Sequence, residues 1–205
     1  MDQQRRPRKQ RKPKKVSERY LTNVAKWYIE RYVPCSGQLR RALMKRVNRG
    51  LAEHGGDREE ALEWVEAVIA RMTEIGAIDD EEYARAWARS YHNRGVALRD
   101  IRGRLRKKGL PEQIVDQTLT TLREEYEGDP VLAAACAYVR RRRFGPWRRD
   151  PDKRTARADK DLAAMARAGH RYDIAKRVLG CEDLDAFLEM EAKAQGHDEA
   201  LPSFP

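Results

Sequence analysis

Two segments of this chain, Arg104–Leu119 and Ala164–Leu179, align without a gap and repeat the same pattern of apolar residues. In each segment a run of helical periodicity ends at a glycine, Gly109 or Gly169, and a second run begins directly after it. A third stretch, Ser36–Val47, repeats the apolar stripe and the basic flank of the first run. Short helical units cannot each bury an apolar face alone, so recurring units of this kind stack on one another. The repetition therefore predicts a tandem-repeat protein.

The period of the apolar residues is helical over nearly the whole chain. Val65, Val68, Ile69 and Met72 follow the i, i+3, i+4, i+7 pattern of one helix face, and no long β-branched alternation is present. Glycines and acidic caps divide the pattern into helices of about 10 to 16 residues. We therefore predict an all-α protein, an elongated tandem of three three-helix, helix-turn-helix-like repeats.

Changes in composition and period set the expected boundaries. The predicted segments are a disordered basic tail at 1–15, repeat 1 at 16–76 with an insertion at 48–57, repeat 2 at 77–127, repeat 3 at 128–182 with a basic insertion, and an acidic C-terminal helix end and tail at 183–205. The N-terminal tail carries eight cations and one acid, so it cannot bury enough apolar surface to become ordered. Two interpretations of this tail remain open, an electrostatic arm for phosphate backbones and a solubilising segment.

The charge of the chain points to a negatively charged partner. The formal net charge is +10 and the isoelectric point is about 9.7. Nucleic acid and an acidic protein groove fit this charge equally well. The basic N-terminus is not followed by an apolar stretch, and no window approaches the roughly 20 apolar residues of a membrane helix. We expect a cytoplasmic protein without a membrane segment.

The sequence offers no pattern of metal ligands or catalytic groups. The three cysteines are far apart and form no CxxC pair, and the histidines are equally scattered. His92 is expected at the surface or in a loop. Asp79 and Asp80 stand at a helix start, where acidic residues serve as caps and interact with the helix dipole. Because the P-loop, GxSxG, HExxH and GxGxxG motifs are all absent, we predict a protein that is not an enzyme and needs no cofactor or metal.

The first candidate interaction surface is the basic helix that ends at Gly109. Arg99, Arg102 and Arg106 lie at i, i+3 and i+7, and Lys107 and Lys108 follow at the helix end. The two lysines complement the helix dipole, which explains them without a partner. The arginines near the start and middle of the helix gain nothing from the dipole and repel one another mildly. This pattern favours a contact surface over a plain solvated face.

Gly103 lies inside the same helix. A glycine in a helix interior costs about 1 kcal/mol relative to alanine. Either a partner or neighbouring helix approaches closely there, or the glycine is tolerated without a role, and the sequence leaves both possibilities open.

The second candidate surface is the stretch Arg140–Arg149, in which cations surround Phe144 and Trp147. Such a mixture suits single-stranded nucleic acid, because arginine neutralises phosphate and an aromatic ring can stack on a base. The rings can equally anchor the loop to the core. We favour the anchoring role for the rings and a contact role for the arginines.

A stripe of tryptophan and tyrosine residues recurs at helical spacing. Its members are Trp27, Tyr28, Tyr32, Trp64, Tyr83 and Trp87. Helical spacing is more typical of core packing than of a cofactor site. We therefore assign the stripe to packing between repeats.

The segment from Gly76 to Val115 resembles the middle repeat of the RecX recombination regulators. The matching positions are Gly76, Ile78-Asp79-Asp80, Tyr83-Ala84, Gly95, Ile101, Leu105 and Lys108-Gly109. The resemblance extends over roughly residues 20–179. Pro111 departs from the pattern, because an acidic or hydroxyl residue is usual after this turn.

The resemblance implies a regulator of recombination. RecX proteins bind in the groove of the RecA filament, restrain its ATPase, strand-exchange and co-protease activities, and can contact the DNA that it holds. By this resemblance we expect a monomer that binds the RecA filament and, without sequence specificity, single- or double-stranded DNA. The predicted RecA- or DNA-binding residues are Arg94, Arg99, Arg102, Arg106, Lys107, Lys108, Arg140, Arg141, Arg142, Arg143, Arg148 and Arg149.

Two other functions remain possible from the sequence. A helix-turn-helix transcriptional regulator would place one helix of a repeat in a DNA groove. Such a helix usually mixes Asn, Gln, Ser and Arg to read base edges. The basic helix here offers almost only Arg and Lys, which contact phosphate without reading the sequence. A helical adaptor for another acidic protein is the third possibility.

Overall fold

The computed structural model of the protein describes residues 12–196. Within that range the chain is all-α, with one short 3₁₀ turn at Gly145–Trp147 and no strand. The helices are α1 Glu18–Tyr32, α2 Ser36–His54, α3 Arg58–Glu74, α4 Asp80–Asn93, α5 Leu98–Lys108, α6 Glu112–Glu124, α7 Pro130–Arg142, α8 Pro151–Arg167, α9 Tyr172–Leu179 and α10 Leu184–Ala194. The predicted all-α class and the three groups of three helices are confirmed.

Local sequence explains where these helices begin and end. The side chains of Asp57, Asp129 and Asp150 accept hydrogen bonds from backbone N–H groups in the first turns of α3, α7 and α8. Gly109 and Gly169 follow α5 and α8 with φ of 90° and 84°, a left-handed conformation that glycine adopts without strain. The two aligned segments of the sequence therefore share one helix–turn–helix geometry.

The chain divides into two compact units, and the first unit ends at Asp79. In this unit α1, α2 and α3 pack on one another around a continuous apolar core. Leu21 of α1, Leu39 and Leu43 of α2 and Val65 of α3 are fully buried there. Burying a side chain of this size contributes about 1.5–3 kcal/mol, so this core holds the three helices together.

The second unit, which begins at Asp80, contains α4 to α10. α7 packs against α9 and α10 around Cys136, Met165 and Phe187, and it also contacts α4. A close approach occurs at Gly95, where a Cβ atom would lie 2.3 Å from the backbone nitrogen of Tyr138. Since Gly95 also has a φ of 73°, the turn between α4 and α5 requires glycine for two reasons.

The N-terminal part of the first unit differs from the prediction. The insertion at 48–57 was expected between two helices, but it extends α2 as far as His54. Residues 12–15, predicted as part of the disordered tail, lie near this extension, and the carbonyl oxygen of Pro13 lies 2.8 Å from Nε2 of His54. Val16 is buried beside Gly50, where a Cβ atom would lie 2.5 Å from its Cγ2. The remainder of the predicted tail, 1–11, lies outside the described residues.

The C-terminal segment is also more regular than expected. Instead of a frayed helix end, α10 has its own N-cap, Asp183, and buries Phe187, Glu191 and Ala194. This helix is hard to recognise from the sequence, because only a few of its positions contact α7 and the acidic residues between them obscure the apolar pattern. Residues 197–205 of the predicted tail lie outside the described residues.

His92 is not at the surface, which corrects the sequence-based expectation. Its side chain is 3% exposed, its Nε2 lies 2.7 Å from the carbonyl oxygen of Pro130, and its ring packs edge-on against Tyr126. A carbonyl only accepts hydrogen bonds, so Nε2 carries the proton. The last turn of α4 thus lies under the start of α7, a contact that the sequence does not reveal.

The assignment of the whole aromatic stripe to packing is wrong for two of its members. Trp27 and Tyr32 of α1 are 51% and 54% exposed, and they contact one another edge-on at the surface. Tyr28, Trp64, Tyr83 and Trp87 are half-buried. Helical spacing places Trp27, Tyr28 and Tyr32 close together on α1, but the neighbouring helices cover only part of that side.

The three cysteines are free thiols and are buried. Burial raises the pKa of Cys136 to about 12, so this thiol stays protonated and unreactive. Among the described residues no group of histidine, cysteine and carboxylate side chains is arranged to hold a metal ion. None of the helices in 12–196 is long and apolar enough to cross a membrane.

Candidate functional site

The basic helix α5 presents three differently constrained faces around its axis. Leu98, Ile101 and Leu105 are buried and fix the inner face against α4 and α6. Because successive residues are rotated by 100°, the cations fall on the two flanks and on the outer face. The contacts of each face show which cations remain available to a partner.

The flank toward α6 is occupied by ion pairs. Arg102 contacts Glu112 at 2.9 Å and also pairs with Asp116. Arg106 pairs with the same Glu112, and this hydrogen-bonded ion pair raises the pKa of Arg106. These carboxylates offset the repulsion among the arginines, so the sequence-based argument that this face must be locally destabilising is wrong for Arg102 and Arg106.

The flank toward α4 is occupied by aromatic rings. Nζ of Lys108 lies 3.7 Å from the centre of the Trp87 ring and donates a hydrogen bond of 2.9 Å to the hydroxyl of Tyr83. The guanidinium of Arg104 lies 5.1 Å from the centre of the Tyr91 ring. Cation–π contacts of this kind hold long side chains in place, so the half-buried rings of α4 position these cations.

Arg94 lies near this flank, at the end of α4. Its guanidinium donates hydrogen bonds of 3.0 and 2.7 Å to the carbonyl and hydroxyl oxygens of Ser90, and it lies over the Tyr91 ring. Arg94 is therefore tied to its own helix, although it remains exposed.

The outer face of α5 consists of Arg99, Gly103 and Lys107, at i, i+4 and i+8. Arg99 and Lys107 are exposed and form no ion pair or hydrogen bond with any residue that the structure describes. A Cβ atom added at Gly103 would meet no atom of residues 12–196 within 4 Å. The outer face is thus an open cationic strip between two flanks whose side chains are already held.

The second predicted surface lies between α7 and α8, and part of it is buried. Arg148 donates hydrogen bonds of 2.6 and 3.0 Å to the carboxylate of Asp161, which is buried. Arg140 forms an ion pair of 3.2 Å with Glu191 of α10. Both arginines therefore have structural roles within the second unit.

The other arginines of this segment are more available. Arg141 and Arg142 are exposed and lie over the rings of Tyr138 and Phe144. Arg143 and Arg149 are exposed and have no hydrogen-bond or ion-pair partner in the described part of the chain. They line a cavity of about 610 Å³ beside the 3₁₀ turn.

The aromatic residues of this segment anchor the connection, as we predicted. Phe144 is buried, and the Trp147 ring packs edge-on against Phe187 of α10 with 5.9 Å between the ring centres. The 3₁₀ turn that carries them contacts α7, α8, α9 and α10. The arginines are therefore presented from a fixed segment of backbone.

Comparison with known proteins places this arrangement in a family. The family model described as RecX, second three-helix domain, matches residues 79–119. A regulatory protein RecX of Myxococcus xanthus is 40% identical over 169 residues, which cover 82% of this chain and 89% of that protein. This chain belongs to the RecX family. Regulatory proteins RecX of Streptomyces coelicolor and Agrobacterium fabrum are 35% and 30% identical, covering 65% and 78% of this chain and 68% and 82% of their own lengths. No solved structure matches the chain significantly.

The part of the chain that matches the second three-helix domain of RecX contains α4, α5 and α6 as far as Leu119. Sequence reasoning missed Arg104, which shares the flank of Lys108, and the acidic partners Glu112 and Asp116. The acids lie ten or more positions beyond Arg102, after a turn, so no helical spacing rule links them to it. Binding of RecA or DNA by the predicted cations remains a prediction, and the outer face of α5 is the most available part of that set.

Proposed function

We propose that this RecX-family protein binds the RecA filament and restrains its ATPase, strand-exchange and co-protease activities, with non-specific DNA binding as a secondary activity. It acts in the cytoplasm as a binding regulator rather than through catalysis. The observation that carries the proposal is the outer face of α5, a cationic strip without ion-pair partners in the described part of the chain, within the segment that matches the family's second domain.

The physics of α5 supports a contact role for this face. Arg99 is the second residue of the helix, where a positive charge opposes the helix dipole, so local stability gives no reason for it. Lys107 complements the dipole at the other end, but it too has no carboxylate partner among the described residues. Cations without internal partners release their counterions when they meet a polyanion, which favours binding to an acidic groove or to phosphate.

The held flanks also support the proposal. Arg102, Arg106 and Lys108 are ordered before any partner arrives, so binding loses less side-chain entropy along the edges of the site. An exposed cationic helix whose flanking side chains are already ordered suits a repetitive acidic surface better than a deep ligand pocket would.

The transcriptional regulator is not favoured. The outer face of α5 carries only Arg99, Gly103 and Lys107, and it lacks the amide and hydroxyl side chains that discriminate base edges. DNA binding through this face is expected to be insensitive to sequence.

The experiment is a titration of RecA-dependent ATP hydrolysis on single-stranded DNA with the cognate RecA. Wild-type protein should inhibit at or below equimolar amounts, and the Arg99→Gln/Lys107→Gln variant should need at least about fivefold more protein, since each lost charge contact contributes roughly 0.5–1 kcal/mol at an exposed interface. The matched control is Arg157→Gln/Lys160→Gln on α8, which removes two exposed cations elsewhere and should inhibit like wild type. Absence of inhibition by folded wild-type protein would refute the RecA proposal, and full inhibition by the α5 variant would exclude the outer face.

A further inference from the structure

The cavity beside the 3₁₀ turn, between the starts of α8 and α10, lies within the second unit and has two kinds of wall. Its charged side is formed by Arg143, Arg148, Arg149 and Lys153 together with the carboxylate of Asp150, and its apolar side by Pro146, Trp147 and Leu184. Its volume of about 610 Å³ falls within the usual range for small-ligand sites, roughly 300–1,000 Å³.

The charges that line the cavity are not equivalent. Arg148 is committed to Asp161, and Lys153 forms an ion pair of 3.0 Å with Asp150, the cap of α8. Arg143 and Arg149 have no such partner in residues 12–196. Two guanidinium groups therefore remain to bind an anion, and guanidinium geometry matches phosphate oxygens well.

The backbone at Arg143 is a second observation. Arg143 ends α7 with a φ of 54°, in the left-handed region that disfavours residues other than glycine and asparagine. A left-handed residue is a common helix ending, also found at Val33 after α1, and here it turns the chain so that Arg143 lines the cavity.

The third observation concerns Trp147. Its indole Nε1–H is buried and has no hydrogen-bond partner among the described residues. Because this nitrogen has almost no solvent-accessible surface, a ligand in the cavity would contact the ring of Trp147 rather than its N–H. The indole ring itself forms part of the apolar wall of the cavity.

We propose that this cavity binds a nucleotide unit, with its phosphate between Arg143 and Arg149 and its base or sugar against Trp147, Pro146 and Leu184. The unit is either a free nucleotide or one nucleotide of a single strand of DNA. The inference rests on the DNA contact of the proposed function only in the second case, and it does not depend on RecA binding.

The test observes Trp147 directly in the full chain. The four tryptophans are replaced by 5-fluorotryptophan, and the Trp147→Phe variant assigns the fluorine resonance of Trp147. Thymidine 5′-monophosphate, an oligo(dT) strand and inorganic phosphate are titrated separately. A saturable shift of the Trp147 resonance with either nucleotide ligand, and none with phosphate at the same concentration, supports the proposal.

Variants then separate the site from general electrostatics. Arg143→Asn/Arg149→Gln removes both free cations and places asparagine where the left-handed backbone tolerates it, so folding is retained. This variant should raise the apparent Kd by at least about tenfold, whereas Arg157→Gln/Lys160→Gln should change it by less than about twofold. A shift that persists in the cavity variant, or that all three ligands produce equally, would overturn the inference, as would no shift at all.

The two sources of the ligand give different results. A shift with the mononucleotide at low concentration identifies a free-nucleotide site, and a shift with oligo(dT) alone identifies a contact for single-stranded DNA. Measuring RecA inhibition by the same variants distinguishes failure of the cavity proposal from failure of the RecA proposal. Failure of the nucleotide test with full RecA inhibition removes only the cavity proposal.

Discussion

At the scale of single residues, Gly103 is the position where an effect on folding can be distinguished most clearly from an effect on binding. It lies in the middle of the outer face of α5, its backbone is helical, and no atom of the described chain would touch a Cβ there. The sequence left two explanations open, close packing of a helix or partner, and tolerance. The structure excludes close packing by a neighbouring helix within residues 12–196, so a partner and tolerance are the explanations that remain.

Replacing Gly103 with alanine should stabilise the protein by about 0.5–1 kcal/mol, because alanine loses less backbone entropy in a helix. Urea denaturation measures this gain. If a partner approaches closely at this position, the same variant should inhibit RecA less well despite its higher stability. Higher stability with unchanged inhibition would mean that the glycine is merely tolerated.

Glu191 of α10 is the second informative residue. Its side chain is buried, pairs with Arg140, and leaves Oε1 without a hydrogen bond among the described residues. Burial raises the pKa of this carboxyl, and the charge of Arg140 only partly opposes the shift. Because the folded pKa exceeds the unfolded value of about 4.3, Glu191 stabilises the fold fully below that value, and this contribution is lost as the pH rises through the folded pKa.

The Glu191→Gln variant should remove this pH dependence while keeping the size of the side chain. Wild type should gain stability relative to the variant as the pH falls from 7.5 to 4.5, measured by urea denaturation at several pH values. Glu189→Gln, an exposed carboxylate on the same helix, is the control and should follow wild type. Parallel pH profiles for wild type and Glu191→Gln would contradict the assignment.

At the scale of elements, α5 divides its cations between structure and contact. Its flanks are tied to α4 and α6, and its outer face is not. Composition alone presents the helix as uniformly basic, which is why Arg102 and Arg106 were grouped with Arg99. The division arises only because α6 returns along one side of α5 and α4 along the other.

Two double variants should separate these roles. Arg102→Gln/Arg106→Gln removes the ion pairs with α6 and should lower the free energy of unfolding by roughly 0.5–2 kcal/mol, given about 0.2–1 kcal/mol for each exposed pair. Arg99→Gln/Lys107→Gln should change it by less than about 0.5 kcal/mol. Chemical denaturation measures both, and equal destabilisation by the two variants would mean that the flank and outer face are not distinct.

At the scale of the whole molecule, the net charge of +10 governs binding to bare DNA. Neutralising phosphates releases counterions, so log Kd should rise linearly with log salt concentration. We expect binding of oligonucleotides of unrelated sequence to agree within about threefold at each salt concentration, since Arg and Lys read phosphate rather than bases. Fluorescence anisotropy measures this, and one sharply preferred sequence would favour the transcriptional regulator.

The N-terminal segment gives a further prediction for the whole chain. Removing residues 1–11 should leave thermal stability unchanged, because the contacts of Pro13 and Val16 with α2 remain. Removing residues 1–16 should lower the Tm by several degrees, since it uncovers the core around Val16. Equal Tm values for the two truncations would show that this segment does not stabilise α2. Comparing RecA inhibition and DNA binding by the shorter truncation tests the electrostatic arm.

The sequence by itself determined the helical class, the repetition, and the turns at Gly109 and Gly169. These features follow from local rules, because apolar period, caps and left-handed glycines act within a few residues. The tertiary structure alone decided which cations are free, that His92 is buried, and that Trp27 is exposed. Each of these depends on which distant helix covers a side chain, such as Glu112 beside Arg106 or Pro130 above His92. The spacing of residues along the chain does not predict those contacts, so burial and ion pairing could be determined only from the packing of the helices.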